Sequence, residues 1–329
     1  MQGGFKTSCR LGLSKILKDS STRFKQFRQI CHGVHVGDLI AAPVTPFRTD
    51  GEINFDVFDS CLSFLEKWHF NGLFVNGTLS EGMNQSQKER KQSAEKWIEV
   101  ARGRMPVIVH VGTGNLKDSR YLAEHAQEIG ATAFAALPPT YHKPASVEIL
   151  VDYMTQLATA APKLPFYFYE YNVTTGVYLN IPEFLRLADK CIPNLAGVKH
   201  TSPELPALVN CARACNGKFN ILTGTLEQYL PSLSLGIEGV ITAPYLGKIF
   251  YNIRQAFRSG DMEKAQKYQT QALLIDNITK KYGGCISLAK QIFAIASSID
   301  VGNARLPLNN KSLPPDRLEN LKEELRDLL

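Results

Sequence analysis

The amino-acid sequence predicts a (β/α)8 barrel carrying a small C-terminal helical domain. Eight short apolar runs recur along the chain, each followed by a stretch long enough for one helix. The runs are apolar on both faces, as strands of a buried parallel sheet are. Beyond the eighth run the pattern becomes helical only.

The runs are Leu39–Phe47, Gly72–Thr78, Val107–Gly112, Thr132–Pro138, Phe166–Asn172, Gly197–Ser202, Phe219–Gly224 and Gly239–Pro244. Their ends fall about 20 to 34 residues apart, the length of one strand, one helix and two loops. Eight such units closing on themselves make a barrel. Between them, Phe55–Trp68, Ser86–Arg102 and Asp118–Glu128 mix apolar and charged residues at helical spacing, with Asp118 as a candidate cap and Gly130 as a stop signal. Four more helical segments follow at Ile249–Arg258, Met262–Lys281, Ile286–Ser298 and Asp316–Leu329. The domains expected are therefore a basic extension over 1–36, poorly ordered, a barrel over 37–248, and helices packed on it over 249–329.

The formal charge of +6 invites a nucleic-acid reading until it is located. Residues 1–36 hold Lys6, Arg10, Lys15, Lys18, Arg23, Lys25 and Arg28 against Asp19 alone, which accounts for the whole excess. The rest is balanced, so no nucleic-acid partner is expected. The tail is Ser-rich and threaded with Leu11, Leu13, Ile16, Leu17, Phe24 and Phe27, features of a mitochondrial transit peptide as well as of an extension with no address. No apolar run approaches the roughly 20 residues that span a bilayer, so no membrane association is expected. Seven scattered cysteines without CxxC spacing suit a reducing compartment, and the cytoplasm is the expected location. Cys211 and Cys215 are four apart, one face of a helix. No Walker loop, GxGxxG, HExxH or GxSxG motif occurs; His69, His110, His125, His142 and His200 share no ligand spacing, and the pair His32 and His35 is a weak signal alone. Metal and nucleotide chemistry are disfavoured.

Lys199, within Leu195–Ser202, breaks an otherwise apolar strand. Side chains alternate, so Lys199 and Thr201 share one face and Val198 and His200 the other. An inward Lys199 would lose charge to its apolar surroundings and become the neutral amine that attacks a carbonyl; at a strand end it would instead snorkel to solvent. The fifth run favours the inward reading. In Phe166-Tyr167-Phe168-Tyr169-Glu170-Tyr171 one face carries three phenols, and buried phenols need polar partners. A tyrosine can move protons beside a lysine-derived imine, although Tyr167 and Tyr171 also suit simple packing. The second run ends in Gly77-Thr78-Leu79-Ser80-Glu81-Gly82, a turn whose N–H groups and hydroxyls suit a carboxylate ahead of a helix N-terminus.

Together these elements resemble the N-acetylneuraminate lyase branch of the pyruvate-dependent class I aldolases, the family of dihydrodipicolinate synthase. The resemblance runs from about Val36 to about Leu308, through 50–58 (DGEINFDVF), 73–78 (LFVNGT), 122–131 (LAEHAQEIGA), 160–169 (AAPKLPFYFY) and 304–308 (ARLPL). It implies a Schiff-base lysine at Lys199, a catalytic tyrosine at Tyr169 seven residues before Gly176, and a carboxylate loop at Gly77 and Thr78. It further implies sugar contacts after the seventh strand, at Gly224 and Glu227, and a Tyr141 that reaches a neighbouring subunit's site in a homotetramer; Ser80, from its hydroxyl in the turn, and Thr201, from the face it shares with Lys199, are added as expected substrate contacts. The imine is the electron sink, so no cofactor is implied and the only ligands are a 2-oxo acid and an aldehyde or amino sugar. The chain departs from the pattern where Leu79 and Ser80 replace a hydroxyl residue and a glycine, Leu226 an acid of an Asp-Glu pair, and Thr242-Ala243-Pro244 a Gly-Ser-Thr segment. The expected activity is reversible cleavage of N-acetylneuraminate to N-acetylmannosamine and pyruvate. The alternatives are another 2-oxo-acid aldolase, a dihydrodipicolinate-type synthase, or a catalytically reduced barrel that only binds a metabolite.

Overall fold

Each apolar run contains one strand: β1 Leu39–Ala41, β2 Gly72–Val75, β3 Val107–His110, β4 Ala133–Ala136, β5 Phe166–Glu170, β6 Leu195–His200, β7 Asn220–Thr223 and β8 Gly239–Thr242. In this computed structural model, which describes residues 35–284, 286–308 and 312–329, they pair in chain order and close between β1 and β8. Every pairing is parallel. Nearly all of the basic tail lies outside the described residues, and Val36, placed within it, is already buried.

Helices α1 Phe58–Lys67, α2 Gln87–Ala101, α3 Leu116–Glu128, α4 Val147–Ala158, α5 Ile181–Cys191, α6 Leu205–Arg213, α7 Tyr229–Ser234 and α8 Gly247–Arg258 follow the strands in turn. Helices α2 to α5 start at side chains that accept an otherwise orphaned N–H, among them Ser86 with Glu89 in a reciprocal capping box, Ser146, and Asn180. The cap of α3 is Asn115 rather than Asp118, because the Asn115 side chain accepts from the Asp118 N–H at 2.8 Å. Cys215 does not share a helix face with Cys211: α6 ends at Arg213, and Cys215 sits in a left-handed turn (φ 50°).

Alternation along each strand sorts the core into two layers. Val198, Phe166 and Phe168 join the layer between barrel and helices. Ile40, Phe74, Ile108, Ala135, Tyr167, Tyr169, Leu222 and Ile241 fill the barrel itself.

Three further helices, α9 Met262–Lys281, α10 Ile286–Ser297 and α11 Pro315–Leu325, complete the chain. Gln269 ties α9 to the β7–α7 connection, donating to the Leu226 carbonyl and accepting from the Leu230 N–H, both at 3.0 Å. A second tie is ionic. Lys290 of α10, 1% exposed, lies 3.0 Å from Glu81 and 4.0 Å above the Phe47 ring, and donates to the Asn303 carbonyl. Glu81 also accepts from the Arg305 N–H, while the Arg305 guanidinium holds the Gly51 and Asn84 carbonyls and pairs with Glu89.

Removing one partner of such a buried pair leaves the other desolvated and uncompensated, at about 3–5 kcal/mol. Glu81→Ala is therefore expected to lower the melting temperature by about 10 °C for a chain of this size. Glu81→Ala combined with Lys290→Met should melt above the single variant. A single variant that melts within a degree or two of wild type in a thermal scan would contradict this account.

Candidate active site

Lys199 and Tyr169 are register partners on adjacent strands, so the barrel itself places them side by side. The Lys199 Nζ stands 4.0 Å from the centroids of both the Phe74 and Tyr169 rings, which meet each other nearly at right angles. Two ring faces attract a cation by about 2 kcal/mol at a desolvated site. Burial outweighs them and brings the Lys199 pKa from 10.5 to about 7, a change worth about 5 kcal/mol. Among the described residues no carboxylate pairs with this amine.

Tyr169 is fully buried, and burial pushes its phenol well above the ordinary range, with the Thr78 and Thr201 hydroxyls pulling the other way. Its hydroxyl lies 3.1 Å from Thr78 Oγ1. The other two phenols behave differently: Tyr167, deeper in the barrel, accepts from the Asn220 side chain at 3.0 Å, and Tyr171 stacks on Tyr169 with centroids 6.1 Å apart.

Just outside this pair the strand ends are fastened. The Glu170 carboxylate accepts from the N–H groups of Asn172 and Thr201, each at 3.1 Å, and the Glu170 carbonyl from Thr201. Burial raises the Glu170 pKa and lowers that of His200 to about 4, so this neighbouring imidazole is uncharged at neutral pH. His110 packs edge-on against the Tyr169 ring at 5.7 Å.

A cavity of about 280 Å3 opens over Lys199 at the C-terminal ends of the strands, the face on which barrels of this kind carry their sites. Thr78, Tyr169, Lys199, Thr201 and Gly224 all line it. Gly224 is required there: a Cβ would lie 2.2 Å from Thr201 Oγ1. Gly77 meets a similar demand, since a Cβ would come within 2.7 Å of the Phe74 ring that flanks Lys199.

Three expected site residues stand elsewhere. The Ser80 hydroxyl is buried and donates to the Pro43 carbonyl at 2.6 Å, while its own carbonyl accepts from Thr45 and Gln85; it braces the loop. Glu227 is at the rim, 3.3 Å from Lys280. Tyr141, on the loop after β4, is 87% exposed and packs edge-on against His142. The turn at 77–82 also differs from expectation. No helix dipole aims at the cavity from it, because α2 begins only after the Ser86 cap, and the N–H groups of Glu81 and Gly82 close onto the Thr78 and Gly77 carbonyls. Among the described residues nothing accepts from the N–H groups of Thr78 and Leu79.

The sequence reading missed Phe74, which alternation alone places inside β2, and Tyr245, Asp276 and Thr279, which line the cavity from beyond the strands. For Asp276 and Thr279 no local signal exists, since they belong to an ordinary-looking helix. Leu79, Leu226 and Ala243 also face the cavity. No group of three His, Cys, Asp or Glu side chains among the described residues could hold a metal ion.

With this geometry in place, comparison with known proteins is specific. N-acetylneuraminate lyase A of Xenopus laevis is 38% identical over 302 residues, covering 90% of this chain and 98% of that protein. The human N-acetylneuraminate lyase is 38% identical over 280 residues, 83% of this chain and 87% of that one. Among solved structures, N-acetylneuraminate lyase from Aliivibrio salmonicida superposes with a TM-score of 0.84 at 34% identity, over 89% of this chain and 96% of that chain. The model of the dihydrodipicolinate synthetase family matches residues 35–326, and this chain belongs to that family.

Proposed function

We propose that this protein is a Schiff-base lyase that cleaves N-acetylneuraminate reversibly to N-acetylmannosamine and pyruvate. The observation that carries the proposal is the desolvated Lys199 amine in register with a Tyr169–Thr78 hydroxyl pair at the floor of the cavity. The relatives named above support the substrate.

The groups present suffice for a balanced cycle. Neutral Lys199 adds to the ketone of the open-chain sugar acid, whose carboxylate meets the Thr78 and Leu79 N–H groups. Tyr169 begins as a phenol and protonates the departing carbinolamine hydroxyl, which leaves as water. The resulting phenolate lies beside the cationic imine, and it accepts the proton of the substrate's C4 hydroxyl as the C3–C4 bond breaks. The electrons of that bond collapse into the imine to give an enamine, so no cofactor is needed. The phenol then protonates C3, and hydrolysis of the pyruvate imine frees Lys199.

Tyr141 supports an oligomer, since so exposed an aromatic on a loop at this face suits insertion into a neighbour; a homotetramer is the assembly we propose. The thiols of Cys61, Cys211 and Cys215, outside any disulfide, support a reducing location, the cytoplasm. Among the described residues no helix is long and apolar enough to cross a membrane.

Borohydride reduction in the presence of pyruvate is expected to add the mass of the reduced adduct to the peptide holding Lys199. Lys199→Arg should abolish both trapping and turnover, because it keeps a charge but cannot form the imine; trapping at an unchanged position in that variant would sink the assignment. A wild type that binds pyruvate without trapping it would favour a barrel that only binds. Trapping should also depend on pH with a known sign. A protonated amine cannot attack, so the rate should rise as pH climbs through about 7 and level off above it. A rise centred near 10 would show an amine that is not desolvated. Tyr169→Phe keeps the ring beside Lys199 and removes the proton carrier, so turnover should fall roughly 10²- to 10⁴-fold while some trapping survives. Near-wild-type turnover in that variant would remove Tyr169 from the cycle. Light scattering should find the active species larger than one chain, and a fully active monomer would exclude the role given to Tyr141.

A further inference from the structure

The cavity over Lys199 has an uneven wall. The β2, β7 and β8 loops contribute Leu79, Leu226 and Ala243, whose side chains cannot hydrogen-bond a hydroxyl group, beside the hydroxyls of Thr78, Thr242 and Tyr245. Helix α9 contributes Ile275, Asp276 and Thr279, whose hydroxyl donates to the Ile275 carbonyl at 2.7 Å and keeps its acceptor capacity. Among the described residues Asp276 supplies the only carboxylate lining the cavity.

Its placement is built into the fold. Gln269 pins α9 to the backbone at Leu226 and Leu230, and Asp276 lies seven residues further on, two turns along the same face. The Asp276 side chain is 16% exposed, and Lys280 Nζ holds its Oδ2 at 2.5 Å. The same ammonium reaches Glu227 at 3.3 Å. One cation thus links an acid of α9 to an acid of the β7 connection.

We propose that Asp276 and Thr279, with Lys280 bridging to Glu227, form the subsite that reads the hydroxyl groups of the aldehyde half of the substrate. The assignment rests on the aldolase reading above and specifies its substrate class: a 2-oxo acid joined to a polyhydroxylated tail. A carboxylate accepts from two neighbouring hydroxyls at once, and hydrogen bonds to a charged group are stronger than those between neutral groups. Leu79, Leu226 and Ala243 then bound the tail without reading it. A volume of about 280 Å3 lies at the small end of ligand pockets, about 300–1,000 Å3, which fits a single sugar-sized molecule.

The test compares two substrates that share the cleaved bond: N-acetylneuraminate, and 4-hydroxy-2-oxopentanoate, which has no polyol. Asparagine keeps the shape and an oxygen for the Lys280 ammonium, which is itself 61% exposed, so Asp276→Asn is expected to fold. It should lower kcat/KM for N-acetylneuraminate about 10- to 100-fold, mainly through KM, and change the short substrate far less. Thr279→Val, which keeps shape and removes one hydroxyl, should act in the same direction by about 2- to 10-fold. If Asp276→Asn lowers both substrates equally, or neither, the subsite is overturned while the aldolase reading stands. If the wild type traps no pyruvate, the aldolase reading falls and takes the subsite with it.

Discussion

An amine can stay at the centre of a closed barrel only by giving up its hydration, and among the described residues nothing opposite in charge compensates Lys199 for that. It is surrounded by ring faces and strand walls. The contrast with Lys290 is instructive, because both lysines are almost completely buried. Lys290 has Glu81 at 3.0 Å, which opposes the loss of charge that burial drives, leaving its pKa at about 8, and joins α10 to the β2 loop. Lys199 has no such carboxylate beside it, so burial carries its pKa further, to about 7, and brings no ion pair in return. A carboxylate there would raise its pKa and stabilise the fold, and would make it a poorer nucleophile at neutral pH.

The same constraint explains the surroundings. Phe74 must lie flat against the amine, which excludes any side chain at position 77. Tyr169 must stand on the next strand at the same height, which fixes the register of β5 against β6. The Glu170 carboxylate locks that register by capturing the N–H groups that follow each strand, and it sits on the outer face where its charge does not reach toward Lys199 through a direct contact. Thr201 must keep its hydroxyl in the cavity, which Gly224 allows by having no Cβ. A chain of close packings thus runs from one desolvated nitrogen to two glycines and a buried acid.

How much of this was legible in the sequence depended on whether a signal was local. Alternation within Phe166–Tyr171 and Leu195–Ser202 carried the inward face of both strands, because side-chain direction in a strand has period two. The eight apolar runs and the four final helices were legible for similar reasons. Ser80 was misread because hydroxyls at a strand end suit both ligand binding and loop bracing, and only the position of the Pro43 carbonyl distinguishes them. The dipole argument at 77–82 failed because three residues of 3-10 helix, Gly82–Asn84, intervene before the helix cap. Asp276 was invisible: its partner residues are 49 positions away at Glu227 and on its own helix at Lys280, and nothing along the chain announces that α9 folds back over the barrel mouth.

The position of Asp276 bears on how one barrel changes its ligand without changing its chemistry. The groups proposed to break the bond sit on β5 and β6, where any shift in register would move Lys199 and Tyr169 apart. The groups that meet the rest of the substrate sit on loops and on α9, which can exchange residues without disturbing the strands. Leu226 shows how such an exchange is tolerated: its side chain adds apolar surface to the cavity, while its carbonyl is the anchor for Gln269. The apolar side chain on the β7 connection and the helix that brings Asp276 to the cavity are therefore joined at one residue. Recognition can move from loop to helix because the backbone at position 226 fastens the helix whatever side chain stands there.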